Sequence, residues 1–127
     1  MNAELEALGC RAIQSPIWKW APGMRLADGD LVVAISGDGL PIAVAPTVLF
    51  GVPPSVRKDA LPDVTDAGTL GHIVTRLRNA YRDRLLRVEG YPDGWRVVLF
   101  DRASILGIGP TEGSALVNAL EGQGGKP

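Results

Sequence analysis

The stretch 61–121 constrains the fold most, because a helix pattern, three short strand patterns and a second helix pattern follow one another there with little linker. Leu70, Ile73, Val74, Leu77 and Tyr81 stand at i, i+3, i+4, i+7 and i+11, one apolar stripe along a helix. At 3.6 residues per turn that helix runs for about five turns. Asp63, Thr65 and Asp66 are its candidate N-caps, since a short side-chain oxygen can accept from the free N–H groups of a first turn. Residues 85–89, 95–100 and 104–108 have strand composition and are divided by 90–94 and 101–103. Loops this short make neighbouring strands antiparallel. Thr111 caps the last helix, with Ala115, Leu116, Ala119 and Leu120 as its buried edge. The expectation is an αβββα unit in which the 70–81 helix is the main one on the sheet.

In the first half, residues 3–13 place Leu5, Leu8, Ala12 and Ile13 on one helical face, with Glu4 and Glu6 near the positive end of the helix dipole. Ser15-Pro16 ends that helix, because proline cannot donate the next backbone bond and pushes its predecessor out of the α region. An extended segment follows at 17–20. Asp28-Gly29 then joins 24–27 to 31–35 as a tight hairpin, Ser36-Gly37-Asp38-Gly39 turns again, and 42–44 is a strand. Pro53-Pro54 marks 51–61 as a surface loop. The whole reads as one α+β domain, 1–122, of antiparallel sheet and packed helices in the order α-β-β-β-α-β-β-β-α, with a disordered tail at 123–127.

A chain of 127 residues needs only one core. Its 46% hydrophobic and 21% charged residues are those of an ordinary globular protein, and 16 Gly with 10 Pro promise many turns. A net charge of -1 gives no global attraction to nucleic acid or anionic membrane, so any such binding must be local. Cys10 stands alone, which removes an intrachain disulfide and a cysteine-based zinc site and suits a reducing cytoplasm. No apolar run reaches the 18 or so residues of a membrane span, and no leader segment is expected.

Residues with catalytic chemistry are sparse. His72 is the single histidine and falls opposite the apolar stripe, where it has no partner for a metal site. Asp28 and Asp30 begin like a calcium loop, but Val32, Val33 and Ala34 fill positions that need oxygen ligands and a glycine. Gly107-Ile108-Gly109 precedes a helix, yet Glu112 stands at the third glycine of a GxGxxG and no Gly-Lys-Ser/Thr follows; a tight strand end is expected instead. No catalytic residue, cofactor or metal is expected.

The sharpest charge feature is Arg76, Arg78, Arg82, Arg84 and Arg87 within twelve positions, with Asp83 the one acidic residue among them. Arg78 and Arg82 flank one side of the stripe and Arg76 the other. Such arginines either cover a core margin with their stems or bind phosphates or an acidic surface with their planar forks. Trp18 and Trp20 alternate on their extended segment and share a face, either as packing for the first helix or as anchors for a partner. Arg76, Arg78, Arg82 and Arg84, with Trp18 and Trp20, are the candidate partner-binding residues.

The αβββα order is that of the double-stranded RNA-binding domain, which grips phosphates with lysines at the start of its last helix. Here that position reads Thr111-Glu112-Gly113-Ser114, so the likeness is one of topology. Four further stretches together resemble a family of small tailed-phage and prophage accessory proteins. They are Leu5-Glu6-Ala7-Leu8-Gly9, Trp18-Lys19-Trp20-Ala21-Pro22-Gly23-Met24, Leu61-Pro62-Asp63-Val64-Thr65-Asp66 with Thr69-Leu70-Gly71, and Gly109-Pro110-Thr111-Glu112 leading into Ala115-Leu116-Val117. The chain departs from that pattern at Ala67, where proline is usual, and near Ser114, where a further acidic residue is usual. The resemblance implies a helix-and-strand sandwich that acts in the cytoplasm of an infected or lysogenic bacterium. It also implies binding to a host protein, with inhibition of a defence complex such as a CRISPR effector as a frequent role. A nucleic-acid-binding module and a structural or assembly protein that self-associates are the alternatives.

Overall fold

The computed structural model describes residues 3–45, 53–100 and 104–125, the last three by backbone alone. Its elements are α1 (Ala3–Ile13), β1 (Leu31–Ile35), β2 (Pro41–Val44), β3 (Ser55–Val56), α2 (Ala67–Tyr81), β4 (Arg87–Tyr91), β5 (Gly94–Val98), β6 (Ile105–Gly109) and α3 (Glu112–Gly125). Both sheets are antiparallel meanders, β1-β2-β3 and β4-β5-β6, so the α+β class and the expected element order hold. The expected loop at 101–103 and the end of the expected tail lie outside the described residues, and the backbone of 123–125 continues α3.

Three local expectations change. The first half gains a strand, β3, that its sequence did not show: within the expected loop, Ser55 and Val56 pair with Ala43 and Ile42 directly after Pro53-Pro54. Two residues are too few to show a period of two, and proline is tolerated beside an edge strand. The first arm of the expected hairpin is irregular, because residues 24–27 serve two neighbours at once. Val32 N–H donates to Met24 O and Gly23 N–H to Val32 O on one side, while Ala27 N–H donates to Leu61 O and Asp63 N–H to Arg25 O on the other. The loop expected at 90–94 contracts to a two-residue turn, with Tyr91 opposite Gly94.

The main helix on the sheet is α3, not α2. It packs on β5 and β6 with one side and carries α1 and α2 on the other. It is therefore buried almost all round: Gly113 to Val117, Ala119 and Leu120 are inside. Burial of Leu116 and Leu120 alone stabilises the fold by about 2 kcal/mol each. The approach to β6 is close enough to require glycine. A Cβ on Gly107 would stand 2.6 Å from Ala119 N and nearer still to Ala115 O, and one on Gly109 would stand 2.7 Å from Ala115 N. The Gly-Ile-Gly before the helix thus serves strand–helix contact, as expected from its sequence.

Helix α2 keeps its predicted stripe, with Leu70, Ile73 and Leu77 buried and Val74 and Tyr81 half-buried. Of the three possible caps the structure uses Asp66, whose carboxylate accepts from Thr69 N at 2.9 Å. Thr69 is itself fully buried and ties α2 to the first half through Arg25, accepting from Arg25 N at 2.9 Å. Two cores result. The larger lies between α1, α2, α3 and the second sheet; the smaller holds Met24, Leu26, Val32 and Ala43. Among the described residues no helix is long and apolar enough to cross a membrane.

Candidate protein interface

Helix α2 ends in a Schellman motif: Arg82 N–H donates to Asn79 O at 3.4 Å and Asp83 N–H to Arg78 O at 3.0 Å. The left-handed residue of that motif is usually glycine, but here it is Arg82, with φ 53° and ψ 41°. Arg82 is the one non-glycine residue with positive φ among those described. A side chain in this conformation costs about 1 kcal/mol relative to glycine. The fold tolerates the strain because Asp83, next along, fixes the turn. Its Oδ1 accepts from Leu85 N at 2.9 Å, and its Oδ2 accepts from Phe100 N at 2.8 Å. The Phe100 N–H is the largest influence holding the Asp83 carboxyl below the usual carboxylate range; desolvation opposes it, and the N–H groups of Leu85 and Leu86 and the charge of Arg87 add to it.

Asp83 thereby pins the end of β5 to the turn after α2, and two apolar side chains are stranded at the junction. Leu85 is 56% exposed and Phe100 62% exposed. Together with Tyr81, Arg82, Asp83, Arg84 and Leu99 they line an open depression of about 440 Å³, in which the Asp83 carboxylate is turned to the backbone N–H groups of Leu85 and Phe100. Both Arg82 and Arg84 are exposed, and neither forms an ion pair among the described residues. Burial raises the pKa of the Tyr81 phenol on the inner wall. A cationic rim around an aliphatic and an aromatic side chain has the composition of a binding hot spot.

The arginine cluster divides in space. Arg76, on the opposite flank of α2, donates from Nε to Ile17 O at 3.3 Å. Arg78 sits beside the corner and donates from Nε to Leu86 O at 2.8 Å, with the side chain otherwise exposed. Arg87 pairs with Glu89 at 2.8 Å on the outer face of the second sheet. Only Arg82 and Arg84, with Arg78 near them, face solvent at the corner.

The tryptophans lie elsewhere. Trp18 packs against both cores and Trp20 against the smaller one, and their rings meet edge to face at 5.2 Å and 88°. Trp18 thus lies where the two cores meet, and both rings are half-buried. The indole N–H of Trp18 is buried there without a hydrogen-bond partner among the described residues. His72 is half-buried, because the start of α2 docks on the Gly23 turn; a Cβ on Gly23 would lie 3.4 Å from its Nε2.

A second cleft, about 590 Å³, lies between α1 and β3 and is lined by Glu6, Leu26, Val56, Arg57, Lys58 and Leu61 among others. Its Arg57 is committed to Asp30 at 2.6 Å and Asp28 at 3.5 Å, so it is paired within the fold. Asp28 also closes its own turn by accepting from Asp30 N at 2.9 Å, so the two aspartates are turn residues. Among the described residues no group of His, Cys, Asp and Glu is arranged to hold a metal ion.

Leu85 and Phe100 were hidden in sequence as strand residues. The signal was present in the doublets Leu85-Leu86 and Leu99-Phe100, where alternation lets only one of each pair face a core; Leu86 is the buried member of the first. No family model, curated protein or solved structure matches the chain, so its function has to be read from these surfaces.

Proposed function

We infer that this protein is not an enzyme and acts by stoichiometric binding of a partner protein through the corner formed by Arg82, Arg84, Leu85 and Phe100. The observation that carries this reading is the pair of large apolar side chains, each more than half exposed, held between two arginines that have no ion-pair partner among the described residues. A left-handed arginine where glycine would relieve strain supports it, since strain kept at a surface turn points to a use for the side chain. The partner surface that fits is an apolar pocket with carboxylates at its edge. The resemblance to phage and prophage accessory proteins makes a cytoplasmic protein of a bacterial host, such as a component of a defence complex, the first partner class to test.

The experiment is a pull-down from host lysate, with and without nuclease, using the parent chain, Arg82→Gly and Phe100→Ala. Arg82→Gly relaxes the turn, so its thermal midpoint should equal or exceed the parent's while capture of the partner falls. A stoichiometric, nuclease-resistant partner that both variants lose supports the reading. Capture that persists in both variants removes the corner from consideration. Capture that disappears with nuclease and weakens steeply with salt transfers the activity to nucleic acid.

A further inference from the structure

Strand β6 is an outer strand of the second sheet. Its sequence, Ile-Leu-Gly-Ile-Gly, contains neither charge nor proline, and Ile105 and Ile108 are 47% and 57% exposed. An edge of that composition is a template for another chain unless something blocks it. The register shows which groups are at stake. Tyr91 and Gly94 flank a two-residue turn and so form a hydrogen-bonded pair, after which bonding directions alternate along β5. Trp95, Val97 and Leu99 therefore turn their backbone groups toward β6, as the bond from Leu99 N to Ser104 O at 3.1 Å confirms. Ile108 lies opposite Arg96, so its N–H and C=O aim away from the sheet.

That outward carbonyl is occupied. Asn118 of α3 donates from Nδ2 to Ile108 O at 2.6 Å, while its Oδ1 accepts from Arg11 of α1 at 2.6 Å. The guanidinium, which has donors only, dictates the amide's orientation and leaves Nδ2 for the strand. Arg11 is in turn held by both carboxylate oxygens of Glu121, at 2.7 Å from Nε to Oε2 and by a second contact from its other nitrogen to Oε1. A second protection is built into the strand, whose pairing with β5 shifts register between Val97 and Val98.

We propose that Glu121, Arg11 and Asn118 form an edge guard that occupies the outward acceptor of β6 and keeps a second copy of this chain from adding its own β6 there. A second copy is the occupant the edge selects. Antiparallel pairing about a two-fold axis needs one self-complementary strand and nothing else, and this strand has no charge with which to repel itself. The product would be one six-stranded sheet with isoleucines of both copies as neighbours on its outer face.

The test uses the full chain in sedimentation velocity across a wide range of concentration. Asn118→Ala keeps a good helix former in α3 and removes the amide; Arg11→Ala keeps the amide and removes what orients it. Asn118→Ala should self-associate at least about tenfold more strongly than the parent, the scale of one recovered hydrogen bond, with Arg11→Ala intermediate. Adding Ile108→Lys to Asn118→Ala should return it to monomer. Monomeric behaviour of both single variants at parental helicity overturns the guard, as does association that Ile108→Lys does not reverse. Should Asn118→Ala fail to fold, Arg11→Ala on the surface of α1 decides by the same criterion.

Discussion

The two sheets have the same topology and very different support. Each is a three-stranded antiparallel meander, but β4-β5-β6 is backed by α3, with α1 and α2 stacked behind it, whereas among the described residues no helix makes a substantial contact with β1, β2 or β3. Among the described residues the first sheet closes over four buried side chains and the second over twelve. The cover of the first sheet is an irregular segment with Trp18, Trp20, Met24 and Leu26, joined to α2 through the Arg25–Thr69 bonds. A helix brings a whole face of side chains and satisfies its own backbone. A loop brings a few side chains and must borrow backbone partners from both neighbours, as residues 24–27 do. The second sheet should therefore be the stability reservoir and the first the region that opens at lower free energy.

That contrast breaks most visibly at α3. Leu116→Ala leaves a cavity at the centre of the larger core and should cost about 4 kcal/mol, with loss of amide protection in both halves. Gly107→Ala should follow at about 3 kcal/mol, because its Cβ meets the backbone of α3 and no side chain can swing away. Met24→Ala, fully buried in the smaller core, should cost about 2 kcal/mol. Its effect should be local: hydrogen exchange ought to quicken in β1 and β2 and stay near parental rates in α3. Equal loss of protection in α3 would show that the Trp18 seam couples the two cores into one cooperative unit.

The sequence displayed the peripheral helix more clearly than the central one. Helix α2 is covered on one side only, so its stripe from Leu70 to Tyr81 stands out against His72, Thr75 and the arginines. Helix α3 is enclosed by sheet and helices: the expected edge of Ala115, Leu116, Ala119 and Leu120 is buried, but so are Gly113, Ser114 and Val117, and that wider enclosure leaves no single stripe to mark the helix as central. Divergence of Arg76 from Arg78 was legible, because residues two apart on a helix differ by about 200°. The binding corner was not, since it depends on which of two adjacent apolar residues the core takes at each strand end. The edge guard was invisible for another reason: Arg11, Asn118 and Ile108 are brought together only by tertiary packing of α1 on α3.

Within the larger region one carboxylate ties the turn after α2 to the end of β5, which makes that link sensitive to pH. Asp83 is held below its ordinary pKa when folded, so its contribution is present above the unfolded value of about 3.9 and is lost as pH falls through the depressed folded value. Asp83→Asn turns an amide donor toward the Phe100 or Leu85 N–H and should lower the thermal midpoint at neutral pH. The gap between parent and variant should narrow as the solution is acidified below about pH 4. A gap unchanged by acid would mean that the clamp acts through shape rather than charge.

The smallest expected effect has the opposite sign. Gly71 lies on the exposed side of α2 with no atom within 4 Å of where its Cβ would stand. Gly71→Ala should therefore stabilise α2 by about 0.5–1 kcal/mol, the difference in helix propensity, as measured by urea unfolding. Against Gly107→Ala it is the same chemical change on a helix surface and at a strand–helix contact, and the two must differ in sign if α3 is the packed helix and α2 the outer one. Because α2 ends in the Arg82 turn, the added stability should also slow amide exchange along residues 77–81 without altering the corner itself. If Gly71→Ala left exchange there unchanged while raising the midpoint, fraying at the Arg82 end would be set by the strained turn and not by the helix that leads into it.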